Sequence, residues 1–194
     1  MPAPLLATPP GQLICLDHGH VDELQALLAA NVAYYLLATG APATEGEALR
    51  EMDSRPPDTM PYEAVWKLGW RGEDGRLLGF AQVIAGLLAP LVWHIGFFLV
   101  RPDCQHQGVG RAFHSALLDW MRAQGARWIR LGVIVGNARG EDFWQRCGYR
   151  EARRRENVTM GRLKHTIRTL VLLPEGDSLA EYLRQVPRDH PGSD

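Results

Sequence analysis

The stretch Gln105-His106-Gln107-Gly108-Val109-Gly110-Arg111 runs straight into an amphipathic segment. Two glycines one residue apart at a helix start let an anion approach the main chain, at the end where the helix dipole favours negative charge. The chemistry this suggests is the cradling of a phosphate or pyrophosphate. The backbone N–H groups of residues 107–111 would donate, with Gln105 and Arg111 adding side-chain donors. An ordinary strand–loop–helix connection has the same local look. Two common phosphate loops are excluded. A dinucleotide fingerprint needs a third glycine where Phe113 stands and an acidic residue about twenty positions on. None lies between Asp119 and Glu141. A nucleoside-triphosphate loop needs a Gly-Lys-Ser/Thr ending, which does not follow.

Such a loop has to be held by a strand before it and a helix after it. Val109, Ala112, Phe113, Ala116, Leu117, Trp120 and Met121 recur at three- and four-residue spacing, which predicts the helix, and Gly125 ends it. Residues 91–100 read as the strand before the loop, the third of a meander. The hairpin ahead of it turns at Asp74-Gly75. From Leu77 to Val100 there is no Lys, Arg, Asp or Glu, so by length alone this run is a membrane-span candidate. Gly86 and Pro90 divide it, and Gln82 and His94 lie inside it, so it reads as two central strands buried on both faces.

Elsewhere the pattern predicts a strand at 12–16, a helix at 20–37, a second helix at 43–52 and a loop at 55–61. A buried strand at 127–135 and a short helix from Ala138 to Cys147 follow, then strands at 149–154 and 164–174. Ser178 and Glu181 form a capping box for a short terminal helix. The whole is one α+β domain over 12–174, with a loose N-terminus at 1–11 and a short helix and polar tail at 175–194.

The chain has 194 residues, 46% of them hydrophobic, and a formal net charge of −1. That is enough for one full core and too little for two ordinary domains. Near-neutral charge gives no case for nucleic acid or an anionic membrane as partner. The basic run Arg150–Val158 reads as a solvated strand or loop face. Cys15, Cys104 and Cys147 are odd in number and widely spaced, so neither a disulfide framework nor a metal site is expected, and a reducing cytoplasm fits.

The order of these elements, with Gln105 to Gly110 as a Q-x-x-G-x-G loop, resembles the GNAT superfamily of N-acetyltransferases. Asn137, Phe143-Trp144 and Cys147-Gly148-Tyr149 stand as its second signature. The similarity covers about residues 12–174. It implies a mixed α/β fold with a mostly antiparallel sheet of about seven strands, splayed between the fourth and fifth. It also implies acetyl-CoA as co-substrate, with its pyrophosphate on Gln105, His106, Gln107, Gly108, Val109, Gly110 and Arg111. Pantetheine would pair with the backbone of Phe98, Leu99 and Val100, and Asn137 would contact it or hold the splay.

The same resemblance implies transfer of the acetyl group to a primary amine by direct attack. An ammonium has no free lone pair, so a base is useful. In some members that base is a Glu eleven residues before the loop glutamine, a position held here by His94. The residue also reads as a core histidine satisfied by a backbone carbonyl. If it is the base, strand alternation puts Gly96 and Phe98 on its face and Trp93, Ile95 and Phe97 on the other, barring a bulge. Many members carry Tyr where Trp144 stands, to protonate the leaving thiolate. An indole N–H is too weak an acid for that. Tyr34, Tyr35, Trp66 and Trp93 are candidates for the acceptor wall, each reading equally as ordinary aromatic core, and Glu45, Glu47 and Glu51 are candidates for attracting a cationic amine that also read as a solvated helix face. A non-catalytic acyl-CoA sensor on the same fold is the alternative, and a homodimer is a possible assembly.

Overall fold

A computed structural model of the chain describes residues 11–193. The N-terminal segment expected to be loose falls, but for its last residue, outside the described residues. Strands β1 (Gly11–Cys15), β2 (Ala64–Gly72), β3 (Leu77–Ala85), β4 (Val92–Val100), β5 (Trp128–Ile134), β6 (Arg150–Met160) and β7 (Leu163–Leu172) form one sheet. Its order is β1-β2-β3-β4-β5-β7-β6. Helices are α1 (Val21–Ala30), α2 (Val32–Thr39), α3 (Glu47–Asp53), α4 (Val109–Ala123), α5 (Ala138–Arg146) and α6 (Leu179–Gln185).

The uncharged run supplies β3 and β4, two central strands, and every residue of β3 is buried. Among the described residues no helix is long and apolar enough to cross a membrane. The β2–β3 turn uses Gly75 at φ +80, as the Asp74-Gly75 pair predicts. One face of the sheet carries α4, through Phe113, Leu117 and Met121, together with Trp144 of α5. The other carries α1 and α3, through Leu24, Leu27, Leu28, Ala48 and Met52.

All neighbouring strands are antiparallel except β4 and β5. That parallel pair is short: it joins Val92–Ile95 to Trp128–Leu131 and stops. Past Ile95 the two strands run on, to Val100 and Ile134, without pairing. The sheet is therefore splayed between its fourth and fifth strands.

Three elements differ from their sequence pattern. The helix expected over 20–37 is two helices, because the Asn31 side chain donates to the Leu27 carbonyl at 2.9 Å and its backbone leaves the helical region. Such local side-chain bonds compete with the helix ladder. The helix expected from residue 43 starts at Glu47, since Gly46 sits at φ +75. The strand expected over 149–154 continues to Met160 and turns through Gly161 into β7. Its register shifts twice against β7. Apolar alternation does not mark this extension, because hydrogen bonding to β7 and not burial holds it. Beyond β7, α6 packs on Trp128 and Val171, and a turn over Pro187–Asp189 places Asp189 in the interior at 1% exposure.

Candidate active site

The loop at the top of β4 opens α4 at the place the apolar stripe predicts. Gly108 caps α4 at φ +83, a conformation that suits glycine, and offers no side-chain cap. The first intrahelical bond is Ala112 N–H to Gly108 O. Among the described residues the N–H groups of Val109, Gly110 and Arg111 thus have no acceptor. A Cβ added at Gly110 would meet Phe143 at 3.5 Å and Val100 at 3.7 Å, ordinary contacts. The protein itself therefore does not require a glycine there. His106 at φ +62, Gln107, Gly108 and Arg111 are exposed around this helix end. Gln107 donates to the Asp103 carbonyl. Gln105 is tied on both sides. It donates to the Val100 carbonyl at 3.2 Å and accepts from Arg139 of α5 at 2.9 Å. It thereby bridges the mouth of the splay.

Below this mouth lies a cleft of about 210 Å³ between the separated strands, lined by residues 94–98 of β4 and 130–134 of β5 with Asn137, Trp144 and Tyr34. One edge of β4 is paired with β3 through Phe98, Leu99 and Val100. The opposite edge faces the gap. Asn137, three residues past the end of β5, caps α5, its Oδ1 accepting from Gly140 N–H at 3.2 Å. Trp144 is buried edge-on against Phe98 at 5.3 Å and Tyr149 at 5.2 Å. Tyr34 is the one phenol in this lining. Burial, with a smaller push from the Glu51 charge, raises its pKa to about 12, so it is a hydrogen-bond donor at neutral pH.

His94 stands one residue before the last β4–β5 pair, opposite Arg130. The face expected for it is corrected by a bulge. Gln82 pairs with Phe97 and Val83 with Ile95, which leaves Gly96 as an extra residue in β4. The alternation changes phase there. Phe97 and Leu99 join His94 on the α1–α3 face, while Trp93, Ile95, Phe98 and Val100 pack toward α4. His94 is partly buried and lines both this cleft and a second of about 250 Å³ beside it.

Arg130 Nη1 lies 3.3 Å from His94 Nδ1. Arginine only donates, so Nδ1 accepts, and the neutral ring carries its proton on Nε2. Burial and then the Arg130 charge hold the His94 pKa down at about 3. The ring is therefore neutral throughout the physiological range. Arg130 is itself buried and held by Asp189 through two bonds of 2.7 and 2.9 Å. Tyr182 of α6 donates to the same carboxylate at 2.5 Å. Neither Arg130 nor Asp189 was among the residues singled out from the pattern. A charged residue inside the apolar run Trp128–Ile134 was the one available signal.

Of the acceptor-wall candidates, Tyr34 reaches the cleft. Trp66 and Trp93 do not: both pack against Trp120 of α4, at 5.5 and 5.6 Å, on the other face. Tyr35 is buried in the α1–α3 core. Glu47 pairs with Arg50 at 2.6 Å. The run Arg150–Val158 is not the solvated face expected of it. Arg150 and Arg154 are exposed, but Arg153 is 8% exposed and Arg155 lines both clefts.

The family model described as "Acetyltransferase (GNAT) family" matches residues 40–149. The chain belongs to this family. The GNAT fold is shared with solved structures of low sequence identity. An acetyltransferase from Thermus thermophilus superposes with a TM-score of 0.66 at 17% identity, over 85% of this chain and 97% of that one. A spermidine N-acetyltransferase from Vibrio cholerae, solved with CoA and spermine, gives 0.65 at 16% identity, over 84% and 95%. In sequence, an aminoglycoside N(6')-acetyltransferase type 1 of Stenotrophomonas maltophilia is 30% identical over 87 residues, 42% of this chain and 57% of that protein. The chain spans about half the length of the curated relatives it matches.

Proposed function

We propose that this GNAT protein moves an acetyl group from acetyl-CoA to a primary amine by direct attack. The observation that carries this reading is the open edge of β4 beside the splay, with the free N–H groups of α4 at its mouth. Pyrophosphate would lie on Val109, Gly110 and Arg111, with His106, Gln107 and Gly108 around it and Gln105 bracing the loop. The pantetheine arm would add to β4 along Phe98, Leu99 and Val100, as an extended chain adds to a free strand edge. Asn137 and Trp144 would wall the arm, and the thioester would then lie near Gly96 and His94. The alternative, a sensor that binds acyl-CoA without turnover, draws on Trp144 standing in the acid's place.

In the transfer, the amine lone pair forms the C–N bond and the C–S electron pair leaves with sulfur. His94, neutral and beside the acyl end, takes the surplus amine proton directly or through a water while the Arg130 contact at Nδ1 yields. The thiolate leaves by accepting hydrogen bonds and is protonated by solvent. The CoA thiolate is only mildly basic near neutral pH, so a dedicated acid is not essential.

Release of CoA thiol from acetyl-CoA across a panel of amines tests the activity, and no release with any amine overturns it in favour of the sensor. Gly110→Val tests the cradle. A Cβ at this position makes ordinary contacts with Phe143 and Val100, and the branched side chain is expected to obstruct the ligand, with thermal melting checking that packing against those two residues is kept. Acetyl-CoA affinity should fall at least tenfold, about 1.4 kcal/mol, by calorimetry. Unchanged affinity in the folded variant would reject the cradle.

Trp144 is expected to pack and not to donate a proton. Trp144→Phe should keep kcat within about tenfold, and Trp144→Tyr should match or exceed the parent. A loss beyond about a hundredfold in the Phe variant, larger than a modest hydrogen bond supplies, would show that the indole has a catalytic part.

A further inference from the structure

The second cleft, which shares His94, Gly96, Arg130 and Arg155 with the first, has an unusual wall. Arg55, Arg130, Arg153, Arg155 and Arg188 line it, and Asp189 is the one acidic residue among them. That carboxylate is already engaged by Arg130 and Tyr182. Arg55 donates to the Met52 and Ser54 carbonyls, and Arg153 donates to the Arg188 carbonyl. These are neutral acceptors and cancel no charge. Among the described residues the Arg155 side chain has no hydrogen bond or ion pair, and the buried Nε atoms of Arg153 and Arg155 have no partner. Five guanidiniums thus face one carboxylate in a recess walled partly by Met60, Ile84 and Leu87.

An unpaired guanidinium in such a recess stays charged and is poorly hydrated, so an anion placed there gains more than it would on the surface. Burial lowers the Arg155 pKa, and the charges of Arg130 and Arg153 lower it further. That is unrelieved repulsion, which a bound anion would relieve. The recess lies on the α1–α3 face at His94, about six residues or ~20 Å down β4 from the pyrophosphate loop at Val100. It is therefore not a second part of the CoA phosphate cradle.

We propose that the acceptor is a primary amine carrying its own anionic group, a carboxylate or a phosphonate or phosphate, held by Arg155 with Arg55, Arg153 and Arg188 while the amine faces His94. This rests on the acetyltransferase reading above and names its substrate class. Polyamines and other polycations would meet like charge in the same recess.

Matched amines that differ only in the second group test this: glycine, aminomethylphosphonate, glycinamide and ethylenediamine, and the next homologue of each. Rates are taken as CoA thiol release, expressed per concentration of neutral amine. The expected result is kcat/KM at least tenfold higher for an anionic member than for its carboxamide, carried mainly by KM, with the diamine poorest. Whether carboxylate or phosphonate leads identifies the anion. In Arg155→Gln the ratio of anionic to carboxamide kcat/KM should fall at least tenfold. Arg55→Gln, on an exposed loop where folding is not at stake, should lower it in the same direction. Equal use of the carboxamide, preference for the diamine, or an unchanged ratio in both variants overturns the proposal. If no amine of any charge is acetylated, the acetyltransferase reading fails on its own. Calorimetric titration of glycine and aminomethylphosphonate into the CoA-loaded protein then decides the inference. Binding that is lost in Arg155→Gln supports it, and no binding, or binding unaltered in the variant, overturns it.

Discussion

Asp189→Asn is expected to destabilise the protein by about 3–5 kcal/mol, the usual consequence of removing one partner from a buried ion pair. Arg130 is 8% exposed and Asp189 1%, so water cannot replace the lost charge. For a chain of this size the loss corresponds to a fall in Tm of roughly 6–20 °C, at about 2–4 °C per kcal/mol. Calorimetric melting checks it, and a shift under about 2 °C would mean that the pair is solvated in solution. The double variant Arg130→Met/Asp189→Leu should recover most of the stability, because an apolar pair of similar volume leaves no charge unpaired.

The same pair sets an acid limb. Burial alone would raise the Asp189 pKa, but the hydrogen bonds and charge of Arg130, with Tyr182, outweigh it and hold the carboxyl below 3.8. A depressed folded pKa means that the unfolded state takes up the proton first. The stabilisation is present above pH 3.8 and is lost as pH falls through the folded value. Asp189→Asn should remove this part of the acid denaturation curve.

His94→Ala is expected to lower kcat about a hundredfold near pH 7, with acetyl-CoA affinity nearly unchanged. General-base assistance is worth about 10²–10⁴, and a base held at a pKa of about 3 belongs at the lower end. The depressed pKa adds a sign. The ring is already deprotonated above pH 3, so the rise of kcat/KM with pH should follow ionisation of the acceptor amine and show no step near ~6.5, the ordinary histidine value. The deficit of the variant should shrink at high pH, where hydroxide can take the surplus amine proton in place of the ring. Near-normal activity of His94→Ala across the pH range would leave this residue as a polar contact of Arg130 and nothing more.

The elements around the loop were legible because each rests on local rules. The α4 stripe, the Asp74-Gly75 turn and the Ser178–Glu181 capping box are all short-range patterns with a physical cause in a few residues. The uncharged run 77–100 was legible as two buried strands, since glycine and proline interrupt it. The splay of the sheet came through resemblance, from two motifs at the right separation, and no periodicity in β4 or β5 reports it.

Tertiary structure decided what those rules do not reach. The bulge at Gly96 changed which residues share a face with His94, because pairing with β3 requires one extra residue there. A basic run that reads as solvated strand was turned inward at Arg153 and Arg155 by strand register against β7. Asp189 lies 59 residues along the chain from Arg130, and only the docking of α6 and the turn after it brings that charge beneath His94. Sequence alone thus determined most of the elements and the glycine-bearing loop that opens α4. The electrostatics of the recess beside them, where charges distant in sequence meet in a medium poorer than water at screening them, belong to the fold.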